Sequence, residues 1–389
     1  MSAGEGHETL SAGPLYEEMP SDDKENIMTI HTRKSQLIVH QEHPFNAEPP
    51  GDLLRQSFLT PQEHFYVRTH GSVPAVDPTS YRLFITGLVQ RKRELSLDEL
   101  RSMSAVHTVT ATLECAGNRR HELMAVKPIL GEVPWRADVI GTAKWRGVPL
   151  REVLRAVGVE ADARYVAFTS LDEAQFEGER VSYGSSIALE KALSPDVLLA
   201  YEMNDEPLAP EHGFPLRVIV PGYIGARSVK WLREITLEEH PSTNPYQARD
   251  YKIFPPEITA QTVDWSRGKT LEDLTLNAVI TTPQEGETVA AGPTRIQGYA
   301  ISGEGAPVER IELSVDGGKT WTTATIVERA DPYAWCFWEG TVALSPGDCQ
   351  LIVRAWDASG QAQPEDMRPL WNFKGYMNNA WHRVKIHVS

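Results

Sequence analysis

The chain has 389 residues, 41% of them hydrophobic, and a formal net charge of -15. That length has room for two or three domains, and the acidic balance excludes nucleic acid and anionic membrane surfaces as general partners, because both require a broad cationic face. Three cysteines, no apolar run of membrane-spanning length and a polar N-terminal stretch exclude a disulfide framework, a spanning helix and a secretory signal, so the expectation is a soluble cytoplasmic protein.

Residues 1–35 are polar and acidic and predict a mobile tail. A short strand is predicted near Leu37–Val39, followed by a proline-punctuated loop through Pro61. The run from His64 to Gly71 sets Arg68 among aromatic residues and two histidines, for which ordinary loop hydrogen bonding is the plain reading. Tyr81–Gly87 alternates as a strand, and Ser96 with Glu99 forms a capping box that opens a short helix to Met103. Alternation at Val106, Val109, Ala111 and Leu113 predicts a strand that closes on Cys115, just before the turn at Gly117-Asn118 and the pair Arg119-Arg120. A thiolate is the reactive form of cysteine, and nearby cations favour it. The turn could thus offer a soft sulfur ligand or nucleophile beside fixed positive charge, or simply a buried thiol and two solvated arginines.

Pro149 and Gly158 bracket an amphipathic helix, with Pro149 expected at its first helical position. A strand over Tyr165–Thr169, a helix over Ser186–Leu193, a strand over Val197–Met203 and a turn at Asn204-Asp205 follow. A buried strand from Leu216 to Val220 then leads into a loop with Gly222 and Gly225, followed by Arg227, Ser228 and Lys230. Glycines let backbone amides approach an oxyanion while Arg and Lys supply charge, so this loop predicts an anion site, though not a P-loop. Leu237–Gly268 reads as a linker. From Leu274 about seven short strands, with a hairpin turn at Asp316-Gly317-Gly318, indicate an immunoglobulin-type sandwich, in which Cys336 and Cys349 are expected to pack.

Taken together, HQEHPFNAEPP, FYVRTHG, LECAGNRR, YEMNDEPL, HGFPLRVIVPG, GARSVKWL, ARDYK and NNAWHRV make the chain resemble the sulfite oxidase family of molybdenum enzymes, of the haem-free type. The resemblance implies an α+β fold: a mixed molybdopterin-binding domain over 36–262, then an immunoglobulin-like domain over 263–389 that forms a homodimer. It implies Cys115 as the protein ligand to molybdenum, with a molybdopterin dithiolene supplying further sulfurs. The cofactor would be held by Tyr66, Val67, Arg68, Thr69, His70, Asp172, His212, Arg217, Ser228, Val229 and Lys230. The implied substrate pocket comprises Arg68, Arg120, Trp135, Tyr251 and Lys374. The implied reaction is oxygen-atom transfer that turns sulfite, or a similar small oxyanion, into sulfate. Electrons would pass to an external acceptor, a cytochrome or dioxygen, with no haem or flavin in the chain itself.

Three positions depart from the family pattern. Thr69 stands where asparagine is usual, Glu173–Arg180 beside Asp172 matches poorly, and Lys374 replaces an arginine in Trp371-Asn372-Phe373-Lys374-Gly375. Lysine keeps the charge but loses the planar two-pronged donor. The retained Asp250-Tyr251 pair and a cation at 374 favour sulfite over nitrate reduction, the nearest alternative. A cysteine hydrolase using Cys115 and His212 and a non-enzymatic binding protein are remote ones.

Overall fold

The computed structural model describes residues 36–303, 305–330 and 332–389. The predicted tail over 1–35 lies outside the described residues. Strands dominate, and the longest helix among the described residues, Leu150–Val157, has only eight residues. It forms because Leu150, Val153, Leu154 and Val157 recur on one face and are all buried. Pro149 caps it from outside instead of opening its first turn. The capping box is formed as expected: the Ser96 hydroxyl accepts from the Glu99 amide (3.2 Å) and the Glu99 carboxylate from the Ser96 amide (2.8 Å).

The helix expected over Ser186–Leu193 is corrected. Glu179–Ala188 is a strand, and only Leu189–Ala192 is helical. Pairing with Tyr165–Phe176 over its whole length overrides local preference, and the buried Ser186 side chain is engaged by Ser242 and Gln247. Tyr165–Phe176 itself runs well beyond the predicted Thr169.

The N-terminal part is built on two five-stranded sheets. One runs Glu206–Pro207, Leu198–Met203, Ile140–Pro149, His107–Glu114, with Arg217–Ile219 also pairing with Leu198–Met203. The other runs Arg93–Leu95, Leu83–Gly87, Leu232–Glu238, Tyr165–Phe176, Glu179–Ala188, with one parallel pair, Leu232–Glu238 on Leu83–Gly87. The C-terminal part has a four-stranded and a five-stranded sheet around their own core, which includes Ile280, Trp338, Val353 and Ile386. Cys336 is buried in that core, and Cys349 packs at its edge.

The two parts share a seam. Tyr299, Trp335, Phe337 and Tyr376 join the largest N-terminal core cluster. The Tyr299 hydroxyl donates to the Ala137 carbonyl (2.5 Å) and accepts from Asn118 (3.1 Å). No helix among the described residues is long and apolar enough to cross a membrane.

Candidate active site

The strand His107–Glu114 delivers Cys115 to the wall of a partly enclosed cavity. The Gly117 amide donates to its sulfur (3.4 Å). Burial raises the thiol pKa; the charges of Arg120 and Arg68 pull it down but do not overcome that burial. The pull towards thiolate expected from the sequence is therefore present and outweighed in the free protein. All three cysteines are free thiols. No group of three or more His, Cys, Asp or Glu side chains among the described residues could cage a metal ion.

The two arginines after Cys115 part company. Arg119 adopts a left-handed conformation (φ 64°) at the start of helix Arg120–Val126, and its side chain runs into the seam. There it pairs with Glu122 and donates to Asn277 (2.8 Å) and the Ala380 carbonyl (2.7 Å). Arg120 turns back towards Cys115. A Cβ at residue 117 would meet its guanidinium at 2.5 Å, so any larger residue there would displace Arg120.

The anion loop also divides. Arg227 is fully buried and turned away, donating to Leu271 and Gln247; its predicted role in holding an anion is corrected. Arg217 and Lys230 line the cavity. Their hydrogen-bond partners are backbone carbonyls of His212, Ser228 and Glu211, not carboxylates. Burial, with Arg217 adding repulsion, pushes Lys230 down to about 7; burial pushes Arg217 down to about 10. The Arg217 Nε and the Asp172 Oδ1 are both buried without a partner. Such orphans, one on a buried guanidinium and one on the carboxylate near Lys230, fit an anionic group that carries its own hydrogen-bond donors. Asp172 reaches the cavity because the hairpin register shifts between Thr169 and Glu173, as bulges do near functional sites.

His212 lines the same end, and burial lowers its pKa to about 4. The neutral ring donates from Nε2 to the Gln62 carbonyl (2.7 Å), which leaves Nδ1 as an acceptor. Ser228 lines the cavity while its hydroxyl accepts from the Val220 amide (3.0 Å), and Val229 lines it from the core. Thr69 lines it too, but its hydroxyl is taken by the Phe45 carbonyl (2.9 Å). Val67 does not line it; its backbone pairs with Ala47.

At the Cys115 end, Arg68, Tyr66, His70 and Tyr251 converge. Burial disfavours the Arg68 charge, yet the surrounding Tyr251, Cys115, Tyr376 and Asp250 outweigh it and raise its pKa. Tyr251 ends a π-helical turn, Tyr246–Asp250, of the kind often found at functional sites. Its hydroxyl lies 3.1 Å from His70 Nε2. His70 stacks on Tyr183 (4.8 Å between ring centres), and burial holds its pKa well below the usual value. Tyr183 and Ser170 also line the cavity, and sequence reading singled out neither.

Three expected pocket residues stand elsewhere. Trp135 is wholly buried in an apolar cluster behind Cys115, edge-on to His40 at 5.0 Å, and does not line the cavity. Lys374 is not an open cation, because Glu132 and Asp250 both pair with its ammonium. It and Arg120 stand beside the cavity, not in its lining. Glu132, isolated in a loop between Gly131 and Val133, carried no sequence signal.

The model of a family described as "Oxidoreductase molybdopterin binding domain" matches residues 70–246, and that of the "Mo-co oxidoreductase dimerisation domain" matches 268–389. The chain is 44% identical to the sulfite oxidase of Gallus gallus over 357 residues, covering 89% of this chain and 77% of that protein. It is 40% identical to the sulfite oxidase of Arabidopsis thaliana, covering 92% and 95%. Nitrate reductase [NADH] 1 of Phaseolus vulgaris is 37% identical, and the match spans only 44% of that protein. The solved sulfane dehydrogenase SoxCD from Paracoccus pantotrophus superimposes with a TM-score of 0.78 at 25% identity, over 98% of this chain and 93% of that one. The chain therefore belongs to the sulfite oxidase family of molybdenum oxidoreductases, with a molybdopterin-binding domain followed by a dimerisation domain.

Proposed function

We propose that the chain oxidises sulfite to sulfate at a molybdenum–molybdopterin group held in the cavity, with electrons passing to a separate acceptor such as a cytochrome or dioxygen. One observation carries this reading: a buried thiol and two buried cations without carboxylate hydrogen-bond partners line the same cavity. Arg217 and Lys230 would hold the phosphate, Asp172 and His212 would accept from pterin N–H groups, and Cys115 would ligate molybdenum, for which a soft thiolate is suited. When bound, that group supplies the oxygen-atom transfer and the two-electron change.

The chain's own side chains bind and orient the substrate. Arg68, next to Cys115 and Tyr251, attracts a small dianion and fixes its direction. Tyr251 keeps its proton, since burial raises its pKa well above 10, and is an O–H donor aimed by its contact with His70. The stronger identity to proteins named sulfite oxidase (40–44%) than to the nitrate reductase (37%) supports sulfite as the oxyanion. We also read the two C-terminal sheets as an immunoglobulin-like sandwich that pairs two copies of the chain, and the enzyme as cytoplasmic.

Steady-state assays test the reading. Sulfite-dependent reduction of ferricyanide or a cytochrome is expected, with Arg68→Met raising KM for sulfite at least roughly tenfold through loss of a charge-assisted contact. Nitrate-dependent oxidation of a reduced viologen, without sulfite turnover, would favour the rival.

A further inference from the structure

Beside the cavity, behind Tyr251 and Cys115, four charged side chains form one chain of ion pairs. The two carboxylate oxygens of Glu132 are divided between two cations: Oε1 on Lys374 and Oε2 on Arg120 at 3.5 Å. Asp250 takes the other side of the Lys374 ammonium. All four side chains are at most 16% exposed, so water screens them little. Two positive charges beside the cavity are thus already matched by two negative ones.

Arg120 does not need Glu132 to hold its place. Its Nε donates to the Lys374 carbonyl (2.9 Å) and its Nη1 to the Val133 carbonyl (2.8 Å). It is wedged between Gly117 and Gly375, where added side chains would meet it at 2.5 and 2.6 Å, and lies over the Tyr376 ring at 5.1 Å. The Glu132 contact, at 3.5 Å, is an ion pair without hydrogen-bond geometry, so charge is what it contributes most.

We propose that Glu132 is a resident counter-anion of the substrate site, competing with the oxyanion for Arg120 and Lys374 and so holding affinity for both substrate and dianionic product low. Glu132 touches neither substrate nor cofactor; it sets affinity through the two cations. The proposal rests on the sulfite reading above, and it makes rapid release of sulfate, a dianion like the substrate, a property of this carboxylate.

The test is calorimetric titration of the purified holoenzyme with sodium sulfate, run beside sulfite kinetics. Glu132→Gln keeps the shape and an acceptor for Lys374 but removes one poorly screened charge. Sulfate Kd is expected to fall at least roughly tenfold, with sulfite KM falling in step. Glu132→Asp is expected to restore weak sulfate binding. Sulfate affinity that is unchanged or weaker in a folded Glu132→Gln protein would overturn the proposal and leave Glu132 a prop for its neighbours. Should that variant fail to fold, Asp250→Asn removes the other counter-charge; tighter sulfate binding supports the proposal and looser binding overturns it. If the wild-type protein binds sulfate but never turns over sulfite, the functional reading fails instead, and the titration still reports on Glu132.

Discussion

Lys230 shows how one residue can be read in sequence and still surprise in structure. Its place in a glycine-containing loop marked an anion site, and it does line the cavity. The magnitude of its strain was not legible, because it depends on burial beside Arg217. With a folded-state pKa near 7 against an ordinary 10.5, Lys230 binds fewer protons in the folded than in the unfolded chain between those values. Its penalty is therefore full below about 7 and is relieved as pH rises towards 10.5. Lys230→Met is expected to raise the Tm of cofactor-free protein at neutral pH by roughly 2 °C or more, while lowering retention of molybdopterin. Scanning calorimetry and pterin content check both; a lower Tm with full pterin content would contradict the anion role. The directions taken by Arg119 and Arg227 were illegible for a related reason. A left-handed residue at 119, and distant acceptors at Asn277, Ala380 and Leu271, decide them. Lys374 was read correctly as a cation and wrongly as an open one, since its partners lie 124 residues away at Asp250 and in a featureless loop at Glu132.

At the scale of elements, alternation and turn chemistry located most strands, and the capping box and the Leu150–Val157 helix followed from local pattern. The error over Ser186–Leu193 came from a long hairpin whose partner strand was cut short at Thr169. That hairpin matters, because its bulge aims Asp172 and its tip reaches the turn bearing Asp250 and Tyr251. Glu177 at the tip makes two hydrogen bonds of 2.6 Å with Arg249, which also lies 5.3 Å over Trp265. The pair is partly exposed, so Glu177→Ala should cost global stability no more than about 1 kcal/mol. Hydrogen exchange is expected to quicken at the hairpin tip and over 246–251, and an unchanged exchange map would show that the tip does not brace the turn.

For the whole molecule, the seam between the two parts and the cavity both carry buried groups that acid must disturb. Burial, reinforced by Arg119, lowers His382 to about 3, and burial lowers His212 to about 4. Glu122 is buried, which alone would raise it, but Arg119 holds it down at about 2. Both histidines bind more protons unfolded than folded, so their stability is complete above the usual histidine value of 6.5 and is lost as pH falls towards 4 and 3. The Glu122 share persists to lower pH and is lost between 4.5 and about 2. A Tm series is expected to decline from pH 6.5 downward and to flatten in part for His382→Gln, whose amide can still accept from Ile280 as the imidazole does. A Tm constant between pH 7 and 4.5 would contradict this account.

The central claim is that the thiol of Cys115 is a ligand of molybdenum in this cavity. X-ray absorption at the molybdenum edge, on purified wild-type protein and on Cys115→Ser, counts the sulfur neighbours directly. The expected result is molybdenum in both, with one sulfur fewer in the variant and sulfite turnover lost. Wild-type protein that is active without molybdenum, or an identical sulfur count in both, would contradict it.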